Sequence, residues 1–459
     1  MEGGSTSSHV WMLRCGTKGP RQLHPMGVSS RRMRPGLGSK GFSCVFLASF
    51  PFYPGPCPGS EPRRFSFFKG NRPEGMDIDE ALREAMRDEG DADARSKAAM
   101  SEAPPHLEGT KLPPASDPAF PDSCLHLLKN ALPGWTRWAA ENGGNGGEAG
   151  VSFRPITGGI TNAMVEVHQE SCSPSRVVVR RFGDDEEGSV VDRVQEKQAL
   201  PQIARQGFGA QLLATFANGR VEAFLHGKAM EPFEMKVEEN RKIIARLLRK
   251  FHQLDVHTNR GSQPATLSTI RQWLQDLGKL AEGNSKQEMQ QSIQRWGSEL
   301  EGLERAMNDL GMNHPKNVVY CHHDLLAGNI MKMEDGSVQF IDFEYGSYGY
   351  RAFDIANHFN EYAGFECDYS RYPSKEERYS FYREYLGPNE QEEADQLEQE
   401  VMLFRLISHV FWGVWAKLQS ICSNIEFDFA NYAELRWSAY FQLRDETFKA
   451  LDWKYRERA

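Results

Sequence analysis

The spacing of apolar residues changes along this chain, and each change marks a change of element. Leu125, Leu127, Leu128 and Leu132 recur at helical spacing, with Trp135 and Trp138 behind them. A glycine-rich break follows over residues 143–150. From Phe153 the pattern is that of strands. Phe153 to Val167 predicts a hairpin around Gly158-Gly159-Ile160-Thr161-Asn162, and Val177 to Arg180 predicts the next strand. A helix is expected after Asp192. Leu212 to Phe216 and Val221 to Leu225 predict two further strands joined by Asn218-Gly219. Beyond Leu225 the helical period dominates. Glu238 to Leu254 carries Ile243, Ile244, Leu247, Leu248 and Phe251 on one face. Leu267 to Leu310 predicts two long polar helices anchored by Trp273 and Trp296, and Lys375 to Leu386 and Gln391 to Cys422 are also helical. Among these helices lie three short strand patterns, Val318 to Tyr320, Met331 to Met333 and Val338 to Ile341. Glu334-Asp335-Gly336 supplies turn chemistry between the last two. The order predicts an α+β/α/β chain of two lobes: a small antiparallel-sheet lobe over residues 118–228 and a larger, mainly helical lobe over 229–459.

Composition sets the first 117 residues apart as an extension and linker. Residues 1 to about 75 are rich in Gly, Ser, Pro and Arg and poor in acids, so they are expected to be disordered. The same composition fits an organelle transit peptide, or an extension ahead of a start at Met76. Asp77 to Met100 turns acidic and Ala-rich and fits an isolated helix. Pro104 to Pro121 reads as a proline-rich linker, with folding expected from about Asp122. The formal net charge of −9 argues against a nucleic-acid partner, which calls for a basic footprint. The eight cysteines form no C-x-x-C pair and are widely spaced, which argues against disulfides or zinc and for a reducing compartment. A cytoplasmic location is expected, or an organelle if the extension is a transit peptide. No run approaches the ~18 apolar residues of a membrane span.

Chemistry concentrates between Val318 and Glu361. His322, Asp324 and Asn329 form the pattern H-x-D-x-x-x-x-N, and Asp342 follows the apolar run of the second hairpin strand. Phosphoryl-transfer enzymes use this spacing for a base on a tight loop and for two metal-binding oxygens. The hairpin would return Asp342 to Asn329, and an amide oxygen beside a carboxylate suits Mg²⁺. Each residue taken singly is more often structural; it is their order, with a hairpin between them, that points to catalysis. Gly158 and Gly159 would let backbone approach a phosphate, with Thr161 and Asn162 adding polar hydrogens. Arg180 and Arg181 point to opposite faces of one strand, so one of them faces inward. Trp412 and Trp415 stand three apart on one helix face, a spacing common in cores.

The run IDFEYGSYGYRAFDIANHFNEYAG resembles the signature of the choline/ethanolamine kinase family. Leu325-Leu326 and Asn360-Glu361-Tyr362-Ala363-Gly364 are most similar to its ethanolamine kinase branch, and the resemblance runs from about Phe153 to near Arg444. It implies a protein-kinase-like two-lobed fold and ATP-dependent phosphorylation of ethanolamine, the first step of phosphatidylethanolamine synthesis. It implies Asp324 as base, Asn329 and Asp342 as Mg²⁺ ligands, and Arg180 as the cation reaching the ATP phosphates with Glu196 as its carboxylate partner. Phe224 and Leu225 would form the hinge that binds adenine. Glu361, Tyr369, Trp412, Trp415, Phe427 and Tyr432 would form an aromatic and acidic pocket for the amino head group, since an ammonium is attracted to aromatic faces and to carboxylates. The expected partners are thus ATP and a small amino alcohol. Choline, an aminoglycoside-type acceptor, and a non-catalytic binding role are the alternatives. One departure stands out: the family usually reads His-Asn-Asp where this chain has His322-His323-Asp324.

Overall fold

The protein's structure, a computed structural model, describes residues 104–142, 150–156, 162–182, 192–281, 286–387, 391–423 and 425–453. The predicted acidic helix over residues 77–100 and the turn residues Gly158, Gly159 and Thr161 lie outside the described residues, as does the side chain of Asn162.

The small lobe is built from β1 (His106–Leu107), α1 (Phe120–Ala131), α2 (Pro133–Glu141), β2 (Ser152–Ile156), β3 (Asn162–His168), β4 (Arg176–Phe182), α3 (Arg193–Arg205), β5 (Leu212–Phe216) and β6 (Gly219–Ala223). The strands form one sheet in the order β1-β5-β6-β4-β3-β2, antiparallel except where β1 joins β5. Alternation along the strands gives the sheet two different faces. Val165, Val167, Val177, Val179 and Val221 pack against Leu127, Leu128, Trp135 and Trp138 of the first two helices. The opposite face carries buried charge: Glu166, Arg180, Arg220 and Glu222. Arg180 is therefore the inward arginine, while Arg181 sends its Nε–H to the Leu112 carbonyl, 3.2 Å away.

The proline-rich linker and the fold boundary near Asp122 need correction. Residues 106–107 form β1, and Leu112 is 2 % exposed within the small-lobe core. Asn218 clamps Leu112 at both ends, accepting from its N–H at 2.9 Å and donating to its carbonyl at 2.8 Å. Burying one leucine contributes ~1.5–3 kcal/mol, enough to order a short segment that composition alone marks as linker.

The second lobe begins with β7 (Gly227–Ala229) and α4 (Glu238–Phe251), then α5 (Thr266–Leu280) and α6 (Lys286–Asp309). Next come β8 (Val318–Cys321), β9 (Ile330–Met333), β10 (Val338–Phe340) and β11 (Ser347–Tyr350). The helices α7 (Arg351–Asn360), α8 (Lys375–Leu386), α9 (Gln391–Cys422) and α10 (Phe429–Ala450) complete it. β9 pairs with both β10 and β7, and β8 pairs antiparallel with β11. Local chemistry sets the helix starts. Ser374 and Glu377 form a reciprocal capping box ahead of α8, and the Asp192 carboxylate accepts the Gln195 N–H at 3.0 Å ahead of α3. The 32-residue α9 packs against α5, α7 and α10. It holds an 18-residue window apolar enough to cross a membrane, a longer apolar stretch than the sequence reading allows for. That window is 83 % buried inside the protein, so its apolarity serves the core.

Candidate active site

The loop after β8 is held from below by one carboxylate. Asp354, on α7 and fully buried, accepts the His322 N–H at 2.6 Å, the His323 N–H at 2.7 Å and a contact from His252 Nε2 at 3.0 Å. Burial alone would raise its pKa, but His252 and the neighbouring histidines outweigh that and hold it below the ordinary value. His252, Cys321 and Asp354 lie close enough together to hold a metal. Both Asp354 oxygens are engaged by the loop N–H groups, and burial pushes the Cys321 thiol well up, so Asp354, braced by His252, acts as a clamp. Two residues of this region, His323 at φ 63° and Asp342 at φ 65°, adopt the left-handed backbone without being glycine. Such conformations cost ~1–3 kcal/mol each and persist where surrounding structure enforces them.

The β9–β10 hairpin forms as expected and returns the chain to the loop: the Ile341 N–H donates to the Asn329 carbonyl at 3.0 Å. Asn329 Nδ2 donates to the Asp324 carbonyl at 2.8 Å and to its carboxylate at 2.9 Å, which turns the amide oxygen away from Asp324. Burial pushes the Asp324 carboxyl well above its ordinary pKa, and the charges of Glu361, Asp342 and Glu344 push it further. A carboxylate-rich site with an outward amide oxygen is a hard, oxygen-donor set. Asn329 and Asp342 together fit a divalent cation of the Mg²⁺ type, whose charge would relieve this repulsion.

On the sheet side, the expected pairing of Arg180 with Glu196 does not form. Arg180 Nη1 reaches Asp342 at 3.3 Å and its Nε lies 3.6 Å from Glu222. Glu196 instead takes Arg220 at 2.7 Å and Arg193 at 2.7 Å, and Arg193 also reaches Glu344 at 3.2 Å. Arg220 is the cross-strand neighbour of Arg180, and Glu222, two residues on and on the same face, lies between the two guanidinium groups. Burial would raise the pKa of Glu196, but Arg220 and Arg193 outweigh it and hold the carboxyl low. A chain of alternating charge thus runs from α3 across the sheet to Asp342. Arg220 and Glu222 escape a sequence reading, although the alternation Gly219-Arg220-Val221-Glu222 puts both on one face. Phe224 and Leu225 follow β6 as the partly buried connection to the second lobe, with the Phe224 ring 5.0 Å from that of His226.

Five of the six residues expected around the acceptor are joined by one set of contacts. Trp412 and Trp415 meet edge to face at 5.1 Å, Trp415 packs on Phe429, and Phe429 packs on Phe427 at 4.8 Å. Phe427 lies 5.9 Å from Tyr432. Tyr432 accepts from Arg436 at 3.2 Å, and Arg436 pairs with Glu361 at 3.0 Å. The sixth, Tyr369, stands against His409, with 3.5 Å between its hydroxyl and Nδ1. Glu361 is therefore an ion-paired carboxylate. Burial pushes its pKa up and Arg436 opposes the shift. Three further residues were not singled out from sequence. Tyr345 accepts from Trp415 Nε1 at 3.0 Å, Arg436 anchors Glu361, and Asn357 accepts from Trp412 Nε1 at 2.8 Å. Asn357 also donates to the His323 carbonyl at 3.1 Å, tying the aromatic cluster to the loop after β8. Arg436 sits one helical turn after Tyr432, the one signal that could have found it.

Comparison with known proteins agrees with this geometry. Residues 153–441 match the family model described as choline/ethanolamine kinase. The chain is 37 % identical over 350 residues to a probable ethanolamine kinase of Arabidopsis thaliana, covering 74 % of this chain and 89 % of that one. It is 33 % identical over 348 residues to ethanolamine kinase 1 of Mus musculus, covering 71 % and 90 %. Among solved structures, a Plasmodium vivax ethanolamine kinase superposes with a TM-score of 0.59 at 27 % identity, covering 73 % of this chain and 97 % of that one. The two-lobed arrangement is accordingly the protein-kinase-like fold, and on a match that spans most of the described residues the chain belongs to the choline/ethanolamine kinase family.

Proposed function

We propose that this protein transfers the γ-phosphoryl group of ATP to the hydroxyl of ethanolamine, giving phosphoethanolamine and ADP and so feeding phosphatidylethanolamine synthesis. One observation carries the reading: Asn357 accepts from Trp412 Nε1 at 2.8 Å and donates to the His323 carbonyl at 3.1 Å, so the aromatic cluster is joined directly to the loop that holds Asp324. Ethanolamine brings a cation and a hydroxyl on one short chain, which suits an aromatic and acidic cluster beside a base. The names of the relatives support the same acceptor.

Burial, and after it the nearby carboxylates, raise the pKa of Asp324, and the positive charge of an ammonium or a divalent ion in the site would favour its carboxylate. It then accepts the hydroxyl proton as the oxygen bonds to the γ-phosphorus and the bond to ADP breaks. Asn329 keeps it oriented through the bond at 2.9 Å. A divalent ion held by Asn329 and Asp342 would supply charge neutralisation at the phosphates. Arg180 borders that position; Gly158, Gly159, Thr161 and Asn162 are assigned to the phosphates, and Phe224 and Leu225 to adenine. Catalysis of this kind is positioning and electrostatics.

A second acceptor deserves one arm of the test, because the indole N–H groups of Trp412 and Trp415 are both engaged by protein and their faces suit a trimethylammonium. Purified protein is assayed with radiolabelled ATP over ethanolamine, choline and an aminoglycoside. The expected kcat/KM favours ethanolamine over choline by ~10-fold or more, about 1.4 kcal/mol. Equal or better use of choline reassigns the acceptor, and turnover of none of them refutes the reading.

A further inference from the structure

The family departure at His323 has a structural counterpart at Gly349. His323 is 1 % exposed, directly precedes the proposed base and holds a left-handed φ of 63°. Its Nε2 meets the Thr266 hydroxyl at 2.9 Å, and its ring lies nearly parallel to Phe411 with centroids 6.0 Å apart. Burial lowers its pKa to about 4, so the ring is a neutral packing and hydrogen-bonding group. Gly349, on β11, faces it. A Cβ at 349 would stand 2.8 Å from His323 Nε2, 2.9 Å from Cε1 and 2.9 Å from the Thr266 hydroxyl. The backbone of Gly349 is not left-handed, and it pairs in register with Val319 of β8. The absence of a side chain at 349 therefore serves space, not conformation.

We propose that His323 is a positioning residue for Asp324 and that Gly349 is its size-matched partner: the imidazole occupies the room a side chain at 349 would take, and the wedge so formed sets where the next residue's carboxylate stands. The inference rests on the reading of Asp324 as the base. Two of the three atoms that a Cβ would strike are ε atoms of the imidazole. An asparagine side chain ends one atom earlier and tolerates left-handed backbone, so it removes the collision without changing the turn. The Thr266 hydroxyl, the third close atom, is then released from its histidine partner and free to rotate.

The test is a double-mutant cycle on the full chain with four proteins: wild type, His323→Asn, Gly349→Ala and the double variant. Each is measured for kcat and KM with ethanolamine and ATP, and for melting temperature. Gly349→Ala alone is expected to lower kcat by ~10-fold or more while KM for ATP moves less than ~3-fold, the pattern of a misplaced reacting group. In the His323→Asn background the same substitution is expected to add no further loss, and the melting temperatures should be non-additive in the same sense. Independent losses in both readouts overturn the pairing. A lowered melting temperature with wild-type kcat in Gly349→Ala reduces the pair to packing and overturns the positioning role. If the wild type phosphorylates no acceptor, it is the proposed function that fails, and coupling in the melting temperatures alone then denies His323 its positioning role.

Discussion

His358 offers the most quantitative test of how the catalytic loop is supported. Its Nδ1 lies 3.0 Å from the carbonyl of Leu325, the residue after Asp324. A carbonyl can only accept, so the proton is on Nδ1. Nε2 is buried with no hydrogen-bond partner, and a proton added there would have nothing to meet. Burial accordingly lowers the pKa from 6.5 to about 4. The unfolded chain takes up a proton as pH falls through 6.5 while the folded chain does not, so this histidine removes stability as the solution is acidified. Each pH unit below 6.5 costs ~1.4 kcal/mol, or about 2 kcal/mol by pH 5, and the loss levels off below the folded value. Other groups titrate in the same window, so the quantity to measure is a difference. His358→Gln keeps an N–H that can reach the Leu325 carbonyl and cannot be protonated. Urea unfolding of both proteins between pH 8 and pH 5 should show the variant gaining ~2 kcal/mol on the wild type across that range. Parallel curves, with a constant gap at every pH, would refute the argument that the ring is held neutral.

The other expectations concern the site itself. Asp324→Asn should fold and bind ATP while kcat falls by ~10² or more, and near-wild-type turnover of the purified variant removes Asp324 as the base. Asp342→Asn retains a residue type that tolerates the left-handed backbone and loses the charge, so calorimetric affinity for ATP with Mg²⁺ should fall ~10-fold or more; unchanged affinity would contradict the metal assignment. Glu361→Gln leaves Arg436 buried without its carboxylate, which should lower stability by ~3 kcal/mol or more and raise KM for ethanolamine more than for choline. A KM for ethanolamine that does not move would take Glu361 out of the acceptor site.

What could be read from the sequence follows from how local each feature is. Asp324, Asn329 and Asp342 are joined by a loop and one hairpin, so spacing and turn chemistry are enough to bring them together. Trp412 and Trp415 share a helix face for the same reason. The partner of Glu196 is a different matter. Two arginines stand side by side on neighbouring strands, and which of them receives the carboxylate depends on the register of β4 with β6 and on the approach of α3. Asp354 and Arg436 are ordinary charges in the sequence; only burial, 0 % and 1 % exposed, makes them organising residues. β1 and Leu112 were hidden because composition reports what a segment is made of, and the Asn218 clamp that orders them lies 106 residues away.

The long helix α9 has a practical consequence for anyone wishing to change what this protein phosphorylates. Over two turns it presents Phe411 to His323 and to the face of the catalytic loop, while Ser408, Trp412 and Trp415 look towards Asn357, Tyr345 and Arg436. On the proposed assignment, one rigid rod therefore carries both the back wall of the chemistry and the wall that selects the acceptor. Substitutions at Trp415, whose indole bonds Tyr345 and not the loop, can reshape the selecting wall while the spacing between the two walls stays fixed by the helix itself. Trp412 lacks that independence, because its bond to Asn357 reaches the His323 carbonyl in one further step. A library aimed at new amino alcohols should vary position 415 and hold 412 constant.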